Sequence, residues 1–494
     1  MTTLADLAKL VEGSRLEGDC PVVDVTHDSR EVGPSFVYCA LRGGMKDGHD
    51  FIGEAVARGA SGVVVERPMA VDLPQLVVPS VRRVIGLLAA EVHGRPSSRL
   101  DVVGITGTNG KTTTAHLLDA VLSHASVPSA LIGTIETRTG LSRTRSMLTT
   151  PQGPDLQRLL AEALAADARA AVIEVSSHAL EQHRIEGTRF KLAVFMNLTA
   201  EHLDYHGTIE QYYASKALLF EPCRSERGIV CVDDEWGRRL AAQARVPVVT
   251  FGASPEADVR VELLASRLQQ TSVRVHLEGA SVDLVAPVTG SCNASNIAAA
   301  YLASTHLGID PADAAAGLAV APPVPGRFEL VDEGQPFHVV IDYAHTPDAV
   351  VERVRTARDL AVDGGTVRVV LGARGGRDRI KRQDLGRAAA LADEVFLTTD
   401  SAGQEEATHI IEEVRLGMLG SPPRRLVAHP DRARSIQRAI EESSSGDVVL
   451  ITGRGHETAQ HVKDRVVKLD DREVARRALR RLRVRGQERV AARA

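Results

Sequence analysis

Short runs of β-branched and apolar residues alternate with longer stretches of helical spacing along almost the whole chain, the pattern of an α/β protein. Near the start, strands are predicted at Pro21–Val25, Ser35–Leu41, Gly62–Glu66 and Gln75–Val78, with helices at Phe51–Arg58 and Ser80–Val92. The polar segment Gly94-Arg-Pro-Ser-Ser-Arg99 then suits a linker. A further unit opens with the buried-type strand Leu100–Thr106 and runs to Val320. Prolines in Ala321-Pro-Pro-Val-Pro-Gly-Arg327 forbid helix and favour extended chain. Beyond them, strands are predicted at Phe337–Ile341, Val367–Leu371, Glu394–Thr398 and Asp447–Thr452, separated by helices. That alternation reads as a doubly wound sheet, whose ligands sit at the carboxyl ends of the strands. The basic helix Asp470–Arg485 reads as a solvated face. Three α/β domains are expected, at 1–95, 96–326 and 327–494, since one core rarely grows beyond ~250–300 residues.

Composition narrows the partners. With 44% hydrophobic and 25% charged residues, and a net charge of only -5, the chain carries no general affinity for nucleic acid or a membrane surface. No apolar run approaches the ~18–20 residues of a membrane span. The five cysteines are scattered without metal spacing, and no signal peptide is recognisable, so a reduced, cytoplasmic compartment is expected. A monomer is the expectation for the assembly.

Candidate chemistry begins after the strand Asp101–Thr106. Gly107-Thr108-Asn109-Gly110-Lys111-Thr112-Thr113 follows it, with a helical pattern at Ala115–His124. Glycines let backbone N–H groups turn onto phosphate oxygens, the helix N-terminus adds its dipole, Lys111 bridges outer phosphates and Thr112 can ligate Mg²⁺. A buried strand, Ala171–Val175, ends in Glu174-Val-Ser-Ser-His178, and a buried carboxylate requires a cation or donors. Asn197-Leu-Thr-Ala-Glu201-His202-Leu-Asp204-Tyr-His206 follows strand Leu192–Met196, and Lys216 sits among apolar neighbours in a helix over Tyr212–Phe220. Singly, a His-x-Asp pair reads more readily as a turn cap, and such a lysine as one that snorkels to water.

Together, the loop, Glu174-Val-Ser-Ser-His-Ala-Leu-Glu-Gln182-His-Arg184, His202-Leu-Asp-Tyr-His-Gly207 and Ser215-Lys216-Ala-Leu-Leu-Phe220 resemble the Mur ligases, within them the branch adding the third amino acid of the cell-wall precursor. The resemblance implies a uridine-nucleotide-binding α/β domain, a central P-loop ATPase-like domain and a C-terminal Rossmann-like domain. It implies that ATP lies on residues 107–113, near Asn293 and Asn296, with Arg327 reaching the nucleotide and Asp342 on the ribose. Thr112 and Glu174 would hold one Mg²⁺ and His202 help hold a second. Lys216 would carry a CO₂-derived carbamate; a desolvated lysine loses its proton more readily, and the product offers the anionic oxygen that Mg²⁺ prefers. Lys111, Glu174, His202 and Lys216 are thus the expected catalytic set. Ser29 falls in the string that would grip uridine diphosphate, and Thr149, Thr150, Ser176, Gln182 and Arg184 match positions that hold the muramoyl-peptide. A UDP-N-acetylmuramoyl-dipeptide and a free amino acid are the implied substrates.

The match breaks at the amino acid. Diaminopimelate-using members carry Asp-Asn-Pro-Arg where this chain has Asp400-Ser-Ala-Gly403. Arg382 matches the α-carboxylate residue, and Gly453-Arg-Gly-His-Glu457 the string whose glutamate binds a distal amine. Asp400 and Glu457 would then form an acidic pocket without its usual cation, favouring lysine or ornithine over diaminopimelate. Two alternatives remain open: a paralogue recruited to another amide-forming pathway, and a P-loop protein that binds nucleotide without ligating.

Overall fold

The computed structural model describes residues 2–44, 46–376 and 379–491. Packing divides the chain into two units: residues 1–198, 212–260 and 298–318, and residues 199–211, 261–297 and 319–494.

The first unit opens with a sheet of β1 (Arg15–Glu17), β2 (Asp24–Thr26), β3 (Phe36–Cys39), β4 (Gly62–Val65) and β5 (Gln75–Val77). Their order is β1-β5-β4-β3-β2, with only β1 antiparallel. Side-chain alternation splits its core into two layers. Val25, Val37, Val64 and Leu76 pack with Val81, Ile85 and Leu88 of helix Val81–Val92. Tyr38, Val63 and Val65 pack with Ile52 and Ala55 of helix Ile52–Ala57.

The segment expected as a linker is packed instead. Pro96 and Ser97 are buried in a short 3₁₀ turn, where Ser97 Oγ accepts from Arg189 N at 3.0 Å. Polar composition marked a break in regular structure but concealed this backbone partner.

A second sheet contains β6 (Asp101–Thr106), β7 (Ser129–Ile132), β8 (Glu136–Thr139), β9 (Ser142–Arg145), β10 (Ala170–Glu174), β11 (Leu192–Phe195), β12 (Gly228–Cys231) and β13 (Val248–Gly252). The start of β14 (Val259–Arg267) pairs with β13. The order is β13-β12-β11-β6-β10-β7-β8-β9, parallel as far as β7. The carboxyl ends of β11, β6, β10 and β7 therefore lie side by side. The helix after β6 spans Lys111–His124, starting earlier than its apolar pattern. Thr112, Thr113 and Thr114 fill its first turn; β-branched residues give little helical signal, although all three are buried.

In the second unit, β15 (Gln270–Leu277) and β16 (Ala280–Ala286) form an antiparallel hairpin. A further sheet contains β17 (Glu329–Leu330), β18 (His338–Ile341), β19 (Val367–Ala373), β20 (Glu394–Thr399), β21 (Arg425–Ala428) and β22 (Val448–Ile451). Its order is β17-β18-β22-β19-β20-β21, with only β17 antiparallel. Val340, Val369, Leu397 and Leu450 face one core layer, while Val339, Val370, Phe396 and Val449 face the other. Both faces are covered, as parallel sheets require. Among the described residues no helix is long and apolar enough to cross a membrane.

Candidate active site

The parallel strands of the first unit deliver the phosphate loop and its neighbours to one sheet edge. Gly110, at φ +90, occupies the left-handed region just before helix Lys111–His124. Asn197, following β11, braces the loop: its carbonyl accepts from Thr108 N at 2.9 Å and its Oδ1 from Asn109 N at 2.8 Å. Lys111 Nζ donates to Gly107 O at 2.6 Å and Thr108 O at 2.9 Å. Lys216 is 1% exposed and donates to the same Gly107 carbonyl at 3.0 Å, with its ammonium 4.4 Å from the Tyr212 ring centre. Two cations thus converge on one carbonyl of the loop. Lys216 does not snorkel to water.

Glu174, at the end of β10, is fully buried. Its Oε2 accepts from Thr112 Oγ1 at 2.8 Å and Thr134 Oγ1 at 2.9 Å, and its Oε1 from Thr134 N at 2.8 Å. A carboxylate beside a threonine hydroxyl at the loop is a hard-oxygen donor set suited to Mg²⁺. Gly133 makes the room: a Cβ there would lie 2.3 Å from Glu174 Oε1.

The expected peptide-binding residues form one network at this edge. Thr150 Oγ1 donates to Glu174 O at 2.7 Å and accepts from Ser176 N at 3.0 Å. Ser176 Oγ caps helix Ser177–Glu181 by accepting from Ala179 N. Arg184 Nη1 donates to Thr150 O at 3.2 Å and its Nη2 to Gln182 Oε1 at 2.6 Å, while the Thr149 and Thr134 hydroxyls share a 3.1 Å bond. Ser29 lies apart from this network, its hydroxyl donating to Glu54 at 2.8 Å.

In the second unit, Asp342, Gly453, Arg374 and Asp400 follow the adjacent strand ends of β18, β22, β19 and β20. Asp342 is 3% exposed; its oxygens accept from Phe328 N and Ala344 N at 2.7 Å each, and Arg353 Nε lies 3.3 Å away. It ties the start of this domain together. Arg327 stacks 4.4 Å from the Tyr343 ring centre. Asn293 Nδ2 donates to Thr289 O, and Asn296 Nδ2 to Asn293 Oδ1, both at 2.8 Å. His202 adopts φ +56 beside buried Glu201, whose Oε1 meets His345 Nε2 at 2.9 Å. Burial raises the Glu201 carboxyl, but His345 outweighs it and holds the group well below the usual carboxylate range.

The amino-acid residues call for a correction. Asp400 and Glu457 are not an uncompensated acidic pair. Arg374 Nε donates to Asp400 Oδ2 at 3.1 Å and its Nη2 bonds Glu457 Oε1. Burial lowers the Arg374 pKa, but these carboxylates hold it above the ordinary arginine value. Arg382 is 1% exposed, and Glu405 and Glu413 grip its guanidinium at 2.7–2.9 Å. That hydrogen bonding pulls the Glu405 carboxyl down to about 2. Arg454 is fully buried and donates to Ala459 O and Leu469 O at 2.9 Å.

Three domain families match in chain order: Mur ligase family, catalytic domain, at residues 21–96; Mur ligase middle domain at 105–304; and Mur ligase, glutamate ligase domain, at 326–455. The UDP-N-acetylmuramoyl-L-alanyl-D-glutamate--2,6-diaminopimelate ligase of Streptomyces coelicolor is 42% identical, the match covering 97% of each chain. The chain belongs to the Mur ligase family. It is an ATP-dependent, ADP-forming ligase of peptidoglycan synthesis, built from three α/β Mur ligase domains. The ligase of the same name from Geobacillus thermodenitrificans is 38% identical, over 94% of this chain and 96% of its own. A solved diaminopimelate ligase structure superposes at TM-score 0.66 with 28% identity, covering 93% of this chain and 95% of its own. MurF ligase from Thermotoga maritima in complex with ADP shares the fold, at TM-score 0.64 and 21% identity, covering 93% and 96%.

In this Mur ligase, sequence reasoning missed Asn197's brace, the Gly133–Thr134 turn over Glu174, and Arg374. Asn197 and Gly133 each follow a strand that pairs with β6 or β10, a signal visible only once strand order is known. Arg374 stood in plain view after the strand predicted at Val367–Leu371, but nothing in its neighbours announced two carboxylate partners distant in sequence.

Proposed function

We propose that this Mur ligase joins an amino acid to the terminal carboxylate of a UDP-N-acetylmuramoyl-dipeptide through an acyl phosphate. The observation that carries the reading is the continuous hydrogen-bonded path from Arg184, Thr150 and Ser176 to Glu174 and Thr112. Residues suited to a peptide and residues suited to a triphosphate share one sheet edge. Arginine and hydroxyls at its outer end fit carboxylate and carbonyl groups. Backbone N–H groups of 107–113 and Lys111 receive the phosphates at its inner end. Asn293, Asn296, Arg327 and Asp342 belong to the nucleotide side of the proposal, and Ser29 to the uridine side.

The substrate carboxylate attacks the γ-phosphorus, releasing ADP; the amine then attacks the acyl phosphate, releasing phosphate and leaving the amide. Lys111 moves from its loop carbonyls to the phosphate oxygens, and the fixed loop supplies positioning and charge stabilisation. Thr112 and Glu174 are the residues that would hold Mg²⁺, with His202 assigned to a second ion; bound there, the ions would neutralise developing charge on the phosphates. Lys216 is assigned a carbamate, formed by CO₂ uptake with loss of a proton. Its burial beside the loop carbonyl supports this, because the added anionic oxygen would meet Lys111 and Mg²⁺. The divisions at 1–95, 96–326 and 327–494, a monomeric state and a cytoplasmic setting complete the proposal.

The preference for lysine or ornithine rested on an acidic pair without a cation, and Arg374 removes that premise. Diaminopimelate also lacks the arginine that would hold its distal carboxylate, since Gly403 stands in that place. A recruited paralogue with a different amino acid gains from both observations. ADP release should require UDP-N-acetylmuramoyl-L-alanyl-D-glutamate and an amino acid together. Release at the same rate without the sugar-nucleotide would refute the reading.

A further inference from the structure

The carboxyl ends of β19, β20 and β22 bring Arg374, Asp400 and Glu457 to one place. The Arg374 guanidinium lies across both carboxylates, through Nε to Asp400 and Nη2 to Glu457, and leaves Nη1 outside these bonds. Its side chain is 25% exposed, whereas that of Asp400 is 1% exposed. Arg454 Nη1 stands 3.9 Å from Asp400 Oδ1 on the buried side, and Arg432 and Arg454 share Asp471 behind it. Three guanidiniums therefore balance three carboxylates, Asp400, Asp471 and Glu457. Among the described residues of this cluster, no negative charge is left over. Among the described residues, the adjoining pocket is lined by Arg374, Lys381, Arg382 and Asp400, and Arg382 is held by Glu405 and Glu413.

An incoming side-chain ammonium needs carboxylates that are free or easily freed. Here it would have to displace a guanidinium from both, leaving that cation in a partly desolvated place. We propose that Arg374 is a specificity-determining residue, seated where a substrate ammonium would go. The ligase therefore accepts amino acids whose side chains are neutral or acidic and excludes those bearing an amine. Arg374 Nη1 remains available to a carbonyl or carboxylate of such a side chain. This inference rests on the ligase reading above and names the substrate class of that same site.

The test is a kcat/KM series by ADP release, with UDP-N-acetylmuramoyl-L-alanyl-D-glutamate as first substrate. Lysine, ornithine and diaminopimelate form one arm, and glycine, alanine, serine, glutamine and glutamate the other. The wild-type enzyme should favour its best substrate without a side-chain amine by ~10-fold or more over all three that carry one, the discrimination expected where a paired charge must be broken. Arg374→Ala should shift the ratio of lysine or ornithine to that substrate upward by ~10-fold or more, chiefly in KM. Arg374→Gln, which keeps much of the side chain's bulk, should shift it the same way, and melting curves confirm that each variant is folded. A wild-type preference for any amine-bearing substrate, or ratios unmoved in a folded variant, overturns the proposal. Absence of ADP release with every amino acid would instead strike at the ligase reading itself.

Discussion

Replacing Glu174 with glutamine separates the charge of this residue from its place in the fold. The carboxylate is fully buried and accepts one backbone and two hydroxyl hydrogen bonds. A glutamine oxygen at the Oε1 position keeps the bond from Thr134 N. Its amide nitrogen at Oε2 can donate to the hydroxyls of Thr112 and Thr134, which rotate to accept. The cost to stability is the difference between charged and neutral hydrogen bonds, ~1 kcal/mol. For a domain of ~150–250 residues that is ~2–4 °C in melting temperature. Glu174→Ala is a different perturbation, since it strands three donors and opens a cavity, ~3–5 kcal/mol in all. An amide carries no charge to offset a divalent cation, so Glu174→Gln should lose at least ~10²–10³-fold in kcat. ADP release and thermal melting, run on the same preparations, read the two effects separately. Turnover within about threefold of wild type at saturating Mg²⁺ would refute the assigned role. A variant that fails to fold would refute the hydrogen-bond reasoning.

Lys216→Ala should lower ligation by ~10²-fold or more, with partial recovery when short carboxylic acids are added to replace the carbamate; full activity without them would rule the carbamate out. Asp24 binds His93 Nε2 and Arg158 Nε at 3.0 Å each; burial raises its carboxyl, but these partners outweigh it and hold it below the ordinary value. A depressed carboxyl stabilises the fold above its unfolded pKa and loses that contribution as pH falls through its folded pKa. Asp24→Asn should therefore cost ~1–3 kcal/mol near neutrality, and its melting-temperature deficit should hold down to about pH 4 and shrink as the pH falls further. A deficit that stays constant with pH would show that charge is not what Asp24 contributes.

Local signals carried much of the fold and site. β6 and β10 were legible because continuous apolar runs mark strands buried on both faces, and β10 ends in Glu174, a residue that such a strand would not carry without a partner. The loop from Gly107 to Thr113 declared itself by its spacing. What stayed hidden was either weak locally or distant in sequence. The strand Arg15–Glu17 is short and partly exposed, with no β-branched residue to signal it. The buried Ser97 looked like linker because its backbone partners, Gly187 and Arg189, lie some ninety positions on. Arg374 reaches Asp400 across a strand crossing and Glu457 from further still, so charge pairing read along the chain left both acids without their cation. Arg382 and Glu413 were separated by the same difficulty.

In the proposed reaction ATP activates the dipeptide carboxylate before the amide forms. UDP-N-acetylmuramoyl-L-alanyl-D-glutamate labelled with ¹⁸O in its glutamyl carboxylates, incubated with the enzyme, ATP, Mg²⁺ and a mixture of amino acids with and without a side-chain amine, tests it directly. Attack of the carboxylate on the γ-phosphorus moves one carboxylate oxygen into each inorganic phosphate as the amide forms. Phosphate carrying one ¹⁸O per amide made is the predicted result. Amide formation with unlabelled phosphate would contradict the account.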